Sequence, residues 1–145
     1  MIIKNALRLL RLLCFAAFHV LTHSAPVLAG DCAAVSGGIG LESATQSLAC
    51  SKAALKRDDT LMNSVYKDLL KVLHDDPSGE NFARSGLVSA QRAWIAFRDS
   101  ECDFRVSLVG GAHQWREVNE VECLSELTKG RTNMLSEYLK RASDK

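Results

Sequence analysis

Proline is scarce in this chain, which has Pro26 and Pro77 among its 145 residues. No linker, low-complexity tract or internal repeat divides the sequence, so a second domain is not expected. Alternation of apolar and polar residues at a period of two, which marks a half-buried β-strand, is also missing. These absences exclude a repeat protein and a β-rich fold, and they favour one all-α domain.

Motifs that carry catalysis are missing too. The sequence contains no G-x-S-x-G element, no phosphate-binding P-loop and no H-E-x-x-H pattern. His74 and His113 are the histidines that follow residue 29, and neither stands beside a nucleophile motif. Although His113 and Glu117 are four residues apart, one such pair is common on a helix end and makes no metal site. We therefore predict a protein that is not an enzyme, with no catalytic residue, metal or cofactor.

The longest apolar run lies at the N-terminus and is typical of an export signal. Basic residues precede an apolar stretch over residues 12–21 that is too short to span a bilayer. Val27 and Ala29 then supply the small residues of a cleavage site, although an uncleaved anchor is the alternative. The pattern predicts a signal peptide over residues 1–29 and a single domain over residues 30–145, periplasmic or secreted, with no membrane span after cleavage.

Charge excludes one class of partner. Loss of the signal peptide removes three basic residues, which leaves 15 Lys and Arg against 17 Asp and Glu, a net charge of −2. Nucleic-acid binding requires a basic face, which this composition does not favour. We expect a protein partner and no nucleic acid.

Cysteine use points to disulfides. Removal of Cys14 with the signal leaves an even set, Cys32, Cys50, Cys102 and Cys123, which in an oxidising compartment predicts two disulfides. Zinc is disfavoured because the spacings of 18, 52 and 21 residues contain no C-x-x-C knuckle. Three pairings are open. We favour Cys32–Cys50 and Cys102–Cys123 because each joins neighbours in sequence, with Cys50–Cys102 as the alternative.

Helical periodicity divides the rest of the chain into three segments. In the first, apolar residues recur every seven positions from Leu41 to Leu69, and Asp58 interrupts the companion series, which predicts a bend or restart there. The third segment covers residues 120–140, after a predicted turn at residues 109–119. The second covers residues 82–108 and carries a stripe predicted to face the core: Leu87, Ala90, Trp94, Phe97, Phe104 and Leu108.

Together these segments predict an antiparallel three-helix, bundle-like domain. The register of such a bundle brings all four cysteines to one end, where disulfides would staple the helices.

Polar residues border the predicted stripe of the second helix. A guanidinium placed there needs carboxylates or carbonyls to offset its desolvation. We predict an inter-helix polar network that fixes the register of the helices, and the alternative is a partly exposed ligand or partner contact. The predicted members are Asn63, Gln91, Arg98, Asp99 and Arg131.

Three stretches carry a resemblance to a known family. They are MNSVYKDLL (62–70), QRAWIAFRDSEC (91–102) and CLSELTKGRTNML (123–135). Together they resemble the lysozyme inhibitor LprI-like family of small exported helical domains. Lipid anchoring, known for the member that gives the family its name, is not expected, because Asp31 rather than a small residue precedes Cys32.

The resemblance implies an exported protein-binding module, with lysozyme or a related envelope-active enzyme as the target. The alternative is a periplasmic accessory or envelope-stress protein that has another partner and no inhibitory activity. The predicted turn at 109–119 is the favoured contact surface, through His113, Trp115 and Arg116, with Trp115 as the hot-spot aromatic. Trp115 could equally cap the end of the bundle.

Overall fold

The computed structural model describes Cys32 and residues 41–144. Three long α-helices make up this part of the chain: α1 spans Leu41–Val72, α2 spans Ala83–Leu108 and α3 spans His113–Ser143. The described residues form no β-strand, which confirms the all-α prediction. No helix in this part of the chain combines the length and the apolar character needed to cross a membrane. The predicted signal peptide lies outside the described residues.

The α1 and α3 helices form the closest pair and run parallel to each other. Ser51 Oγ donates to Glu122 Oε1 at 3.2 Å. Seven residues further along both helices, Asp58 Oδ2 lies 3.6 Å from Lys129 Nζ. Small buried side chains on α3 let the two backbones approach, and they are Ser125, Thr128 and Thr132.

The α2 helix runs antiparallel to both neighbours. Gln91 pairs with Arg131, whereas Cys102, later in α2, pairs with the earlier Cys123. This direction confirms the predicted antiparallel bundle. Contacts between α2 and α3 are sparser than those between α1 and α3, so α2 is the more loosely packed helix.

The α1 helix continues through Asp58 without a break, so the predicted restart is wrong, and the alternative of a bend stays a prediction. Asp58 faces α3, where the Ser125 hydroxyl donates to its carboxylate and Lys129 lies nearby. Because these partners satisfy the carboxylate, a charged residue is tolerated in an otherwise apolar series.

The turn between α1 and α2 is preceded by a residue that caps the start of α2. Gly79 adopts a φ of 81° in it, a conformation that favours glycine. Asp75 reaches forward, and its Oδ1 accepts the backbone N–H groups of Arg84 at 2.8 Å and Ser85 at 3.1 Å. These bonds, led by the one from Ser85, lower the pKa of Asp75 below its ordinary value of 3.8. Asp75 therefore caps α2 from outside the helix.

The connection between α2 and α3 is much shorter than predicted. The α3 helix begins at His113 instead of residue 120, two residues after Gly111, whose φ is 121°. Val118 and Val121 are buried and extend the inward face of α3 toward its start. The predicted turn at 109–119 is therefore wrong over most of its length, because α3 already covers residues 113–119 and Val118 lies in the core.

The hydrophobic core lies where the three helices meet, around Met62, Leu69, Leu87 and Leu135, with Trp94 packed against it. The other large members of the predicted α2 stripe are exposed: Phe97 by 55%, Phe104 by 57% and Leu108 by 69%. Ala90 is exposed as well.

The stripe prediction is confirmed for Leu87 and Trp94. It was wrong for the exposed members because polar residues also define the inward direction of α2. Gln91 and Cys102 are buried and Arg98 is largely buried. At 100° per residue, Phe97 points well away from Arg98.

Candidate functional site

Three of the five predicted network residues, Gln91, Arg98 and Arg131, lie between the helices, whereas Asp99 is exposed and pairs with Arg98. Arg131 Nε donates to Gln91 Oε1 at 2.9 Å, and both side chains are buried. Gln91 Nε2 in turn donates to Met62 Sδ at 3.6 Å. The amide thus links α1, α2 and α3 through one side chain.

Arg98 is the second cation of this cluster, and carboxylates balance its charge. Its guanidinium lies 3.2 Å from Asp59 Oδ1 and 2.8 Å from Asp99 Oδ1. It also donates to Thr128 Oγ1 at 3.2 Å. Asn63 is exposed and takes no part in the hydrogen bonds found among the described residues of this cluster.

Arg131 has no carboxylate partner among the described residues, whereas Arg98 has two. Its exposure is 7%, and its Nη2 has no hydrogen-bond partner among the described residues. Burial lowers the pKa of Arg131, an effect that Tyr138 partly offsets.

The Trp94 ring also contacts both guanidinium groups. The Arg98 and Arg131 guanidinium carbons lie 5.3 Å and 5.7 Å from its ring centroid, within cation–π range. The cluster of Gln91, Trp94, Arg98 and Arg131 therefore sets the position of α2 by directional contacts. None of its members stands as a nucleophile beside a general base.

The cysteines form the favoured pairs. Cys32 bonds to Cys50 and Cys102 bonds to Cys123, with Cα–Cα distances of 5.6 Å and 5.7 Å. The sequence prediction of pairing between neighbours is confirmed. All four thiols are consumed, so none of them is free to act as a nucleophile or metal ligand. Across the described part of the chain, no group of three or more His, Cys, Asp or Glu is arranged to hold a metal ion.

The predicted partner contact falls on the first turns of α3. His113 and Arg116 are exposed, and Trp115 is half-buried. His113 and Arg116 line a shallow pocket of about 200 Å³ together with Val106, Glu117 and Glu120. Trp115 does not line this pocket. Glu117 also pairs with Lys52 Nζ at 3.0 Å, in an exposed contact between the start of α3 and α1.

A larger cleft lies between α1 and α3 and was missed at the sequence level. It encloses about 530 Å³ beside the Cys32–Cys50 disulfide. Carboxylates and cations both line it, among them Arg57, Glu122, Glu126 and Lys129. Apart from Cys32, the lining residues come from two helices, and only the parallel pairing of these helices brings them together, so no local motif could have indicated the cleft.

The family follows from comparison with known proteins. A model of the family described as lysozyme inhibitor LprI matches residues 40–135. The chain belongs to the lysozyme inhibitor LprI family. That match covers the cluster around Trp94, both partners of the Cys102–Cys123 disulfide and the start of α3.

A relative is also found by sequence. An uncharacterised protein of Rhizobium meliloti (strain 1021) is 31% identical over 103 residues, which cover 66% of this chain and 73% of the relative. No solved structure matches the chain. The family description is that of a protein inhibitor, so LprI membership implies a protein partner, and the two disulfides of this LprI chain are typical of proteins outside the cytoplasm.

Proposed function

We propose that this chain is an exported, protein-binding module that inhibits a lysozyme or a related envelope-active enzyme in the periplasm or outside the cell. Contact is made through the first turns of α3, where His113, Trp115 and Arg116 lie. The observation that carries the proposal is the shallow pocket at this place, in a chain whose family description is lysozyme inhibitor.

The charges at the pocket suit a basic target. His113 and Arg116 line the pocket beside Glu117 and Glu120. Glu117 is paired with Lys52, and Glu120, which has no ion pair among the described residues, supplies the available carboxylate. Further along α3, Glu122 and Glu126 are exposed. Carboxylates on one helix steer a basic protein toward it and raise the association rate. Lysozymes are commonly basic, which makes them fitting targets for such a surface.

Rigidity at the contact surface also supports the proposal. The Cys102–Cys123 disulfide joins α2 to α3 within three turns of His113, and the Lys52–Glu117 ion pair joins α3 to α1. A surface held in one conformation loses less entropy when it binds. A small disulfide-tied domain is thus suited to tight binding without covalent chemistry.

The test is a cell-lysis assay with the purified, oxidised protein. We expect micromolar protein to slow the lysis of bacterial cells by at least one lysozyme. Trp115→Ala and Glu120→Lys should each weaken binding at least tenfold, the first by removing an apolar anchor and the second by repelling a basic target. Leu61→Ala is the matched control, because Leu61 is an exposed apolar residue on a different helix.

Binding measured by calorimetry separates inhibition from mere association. The proposal fails if the folded protein, checked by circular dichroism, neither binds nor inhibits any of several lysozymes. Inhibition that survives both α3 variants would overturn the contact surface while leaving the activity in place.

A further inference from the structure

An uncharged face runs along the outside of α2, away from the bundle. The outer face of α2 is the exposed stripe formed by Gly86, Ala90, Ala93, Phe97, Phe104 and Leu108. These positions are spaced so that they share one side of the helix. Three large apolar side chains that remain more than half exposed are unusual on a small domain, and such a patch marks a binding surface.

The charges beside this face argue against a basic partner. Glu101 lies at its edge, and Arg105 Nε holds the Glu101 carboxylate at 2.8 Å. A basic protein would therefore find no unpaired carboxylate among the residues that form the face or its edge. An apolar surface can cover it without burying an unpaired charge, and the same face of a second copy is such a surface.

Side-chain size makes the outer face of α2 complementary to itself. We propose that two copies of this chain associate through α2, antiparallel and about a twofold axis that passes through Phe97. Phe104 lies seven residues after Phe97, and Ala90 lies seven residues before it; Leu108 and Gly86 lie eleven residues away on either side. Phe104 and Leu108 of one copy therefore meet Ala90 and Gly86 of the other, and the two Phe97 rings meet on the axis, as an isologous contact requires.

No contact within a single copy of the chain explains why a glycine stands at position 86. It lies inside α2, where glycine is among the poorest helix formers, and its φ is not in the left-handed region. A Cβ built at Gly86 meets no atom within 4 Å, so no contact within the described chain requires glycine there. Room for Leu108 of the second copy accounts for it.

The size of the contact fits a reversible dimer. The stripe from Gly86 to Leu108 is about 33 Å long at 1.5 Å per residue. Two helices paired over that length bury on the order of 1,000 Å² in total, near the lower limit for specific interfaces. We therefore expect a dissociation constant of roughly 10 µM.

Sedimentation equilibrium of the full oxidised chain tests the dimer, over about 1–300 µM, a range set around the expected affinity. Gly86→Phe should raise the dissociation constant at least thirtyfold by filling the space for Leu108. The matched control is Gly130→Phe, because Gly130 is also a helical glycine with no atom within 4 Å of a built Cβ. This control should leave dimerisation unchanged.

A cross-linking experiment tests the register. In Phe97→Cys the introduced thiols of the two copies lie next to each other on the axis, so a short bismaleimide should give covalent dimers. Leu61→Cys, on an exposed position of α1, should give none above background.

Three results would overturn the dimer: a monomer at every concentration, equal effects of the two glycine variants, or no preferential cross-linking at residue 97. Lysozyme binding is assigned to the start of α3, so Gly86→Phe should still inhibit. Failure of the dimer proposal can therefore be distinguished from failure of the proposed lysozyme inhibition.

Discussion

The α1–α3 pair and the α2 helix are held in different ways. The parallel pair is closely packed, with small hydroxyl-bearing residues between the backbones and the core residues Leu69 and Leu135 fully buried. The α2 helix is attached by directional contacts, namely the cluster around Trp94 and the Cys102–Cys123 disulfide, and it leaves Phe97 and Phe104 exposed. Packing thus stabilises the parallel pair most extensively, whereas α2 contributes Leu87 and Trp94 to the core and is positioned mainly by specific bonds.

The largest expected effect contrasts the two regions directly. Leu135→Ala should lower the free energy of unfolding by about 3 kcal/mol, because it opens a cavity in the core. Phe104→Ala should change it by less than about 0.5 kcal/mol, since the ring is exposed. Urea unfolding measures both free-energy changes, at a protein concentration low enough to keep the chain monomeric. A large loss for Phe104→Ala in the monomer would mean that α2 is packed through its aromatic side.

The second prediction concerns the disulfide that holds α2. Replacing Cys102 and Cys123 by serine should cost about 3 kcal/mol, because the bond closes a loop of 21 residues. The Cys32–Cys50 bond closes a loop of 18 residues but ties only the segment before α1, so its loss should cost less. Thermal unfolding of the two double variants compares them. Equal losses of stability in the two double variants would contradict the prediction that the Cys102–Cys123 bond contributes more than the Cys32–Cys50 bond.

A smaller effect is expected at Gln91. Gln91→Ala should cost about 2 kcal/mol, because it leaves a further donor of the buried Arg131 without a partner. Gln91→Glu should cost less, since it offers a carboxylate to a cation that has none. Chemical unfolding near neutral pH ranks the two variants. Equal losses for both would mean that lost packing, not the unpaired guanidinium, sets the cost.

The smallest effect is a pH dependence at the start of α2. The folded-state pKa of Asp75 lies below its ordinary value of 3.8. Its contribution to stability is therefore fully present above pH 3.8 and is lost as the pH falls through the lower, folded value. Asp75→Asn should lower Tm by a few degrees at neutral pH, and the difference from the wild type should shrink below pH 3.8. A difference that stays constant down to pH 2 would contradict a role for the carboxylate charge.

Local patterns predicted much of this domain. The seven-residue repeat from Leu41 to Leu69 indicates α1, because one face of a long helix must be apolar to pack. An even number of cysteines with short separations indicated the pairing that forms. The Gln91–Arg131 contact was also within reach, since polar residues on a shared face must find partners when helices meet.

Two features were beyond local patterns. The start of α3 was missed because Val118, which precedes the predicted start at residue 120, is seen to be a core residue only from its burial in the bundle. The inward direction of α2 was misjudged because hydrophobicity favoured Phe97 and Phe104, whereas the bundle buries Gln91 and Cys102.

Sequence alone determined the presence of three helices, their antiparallel order, the favoured disulfide pairing and the family resemblance, since each depends on spacing along the chain. Tertiary structure decided which side of α2 faces inward, the cleft between α1 and α3, and the pocket at the start of α3. Those features depend on which helices pack together and how closely. The buried Arg131 and the disulfide at Cys102 bind one side of α2 to the bundle, and that choice leaves the aromatic side exposed.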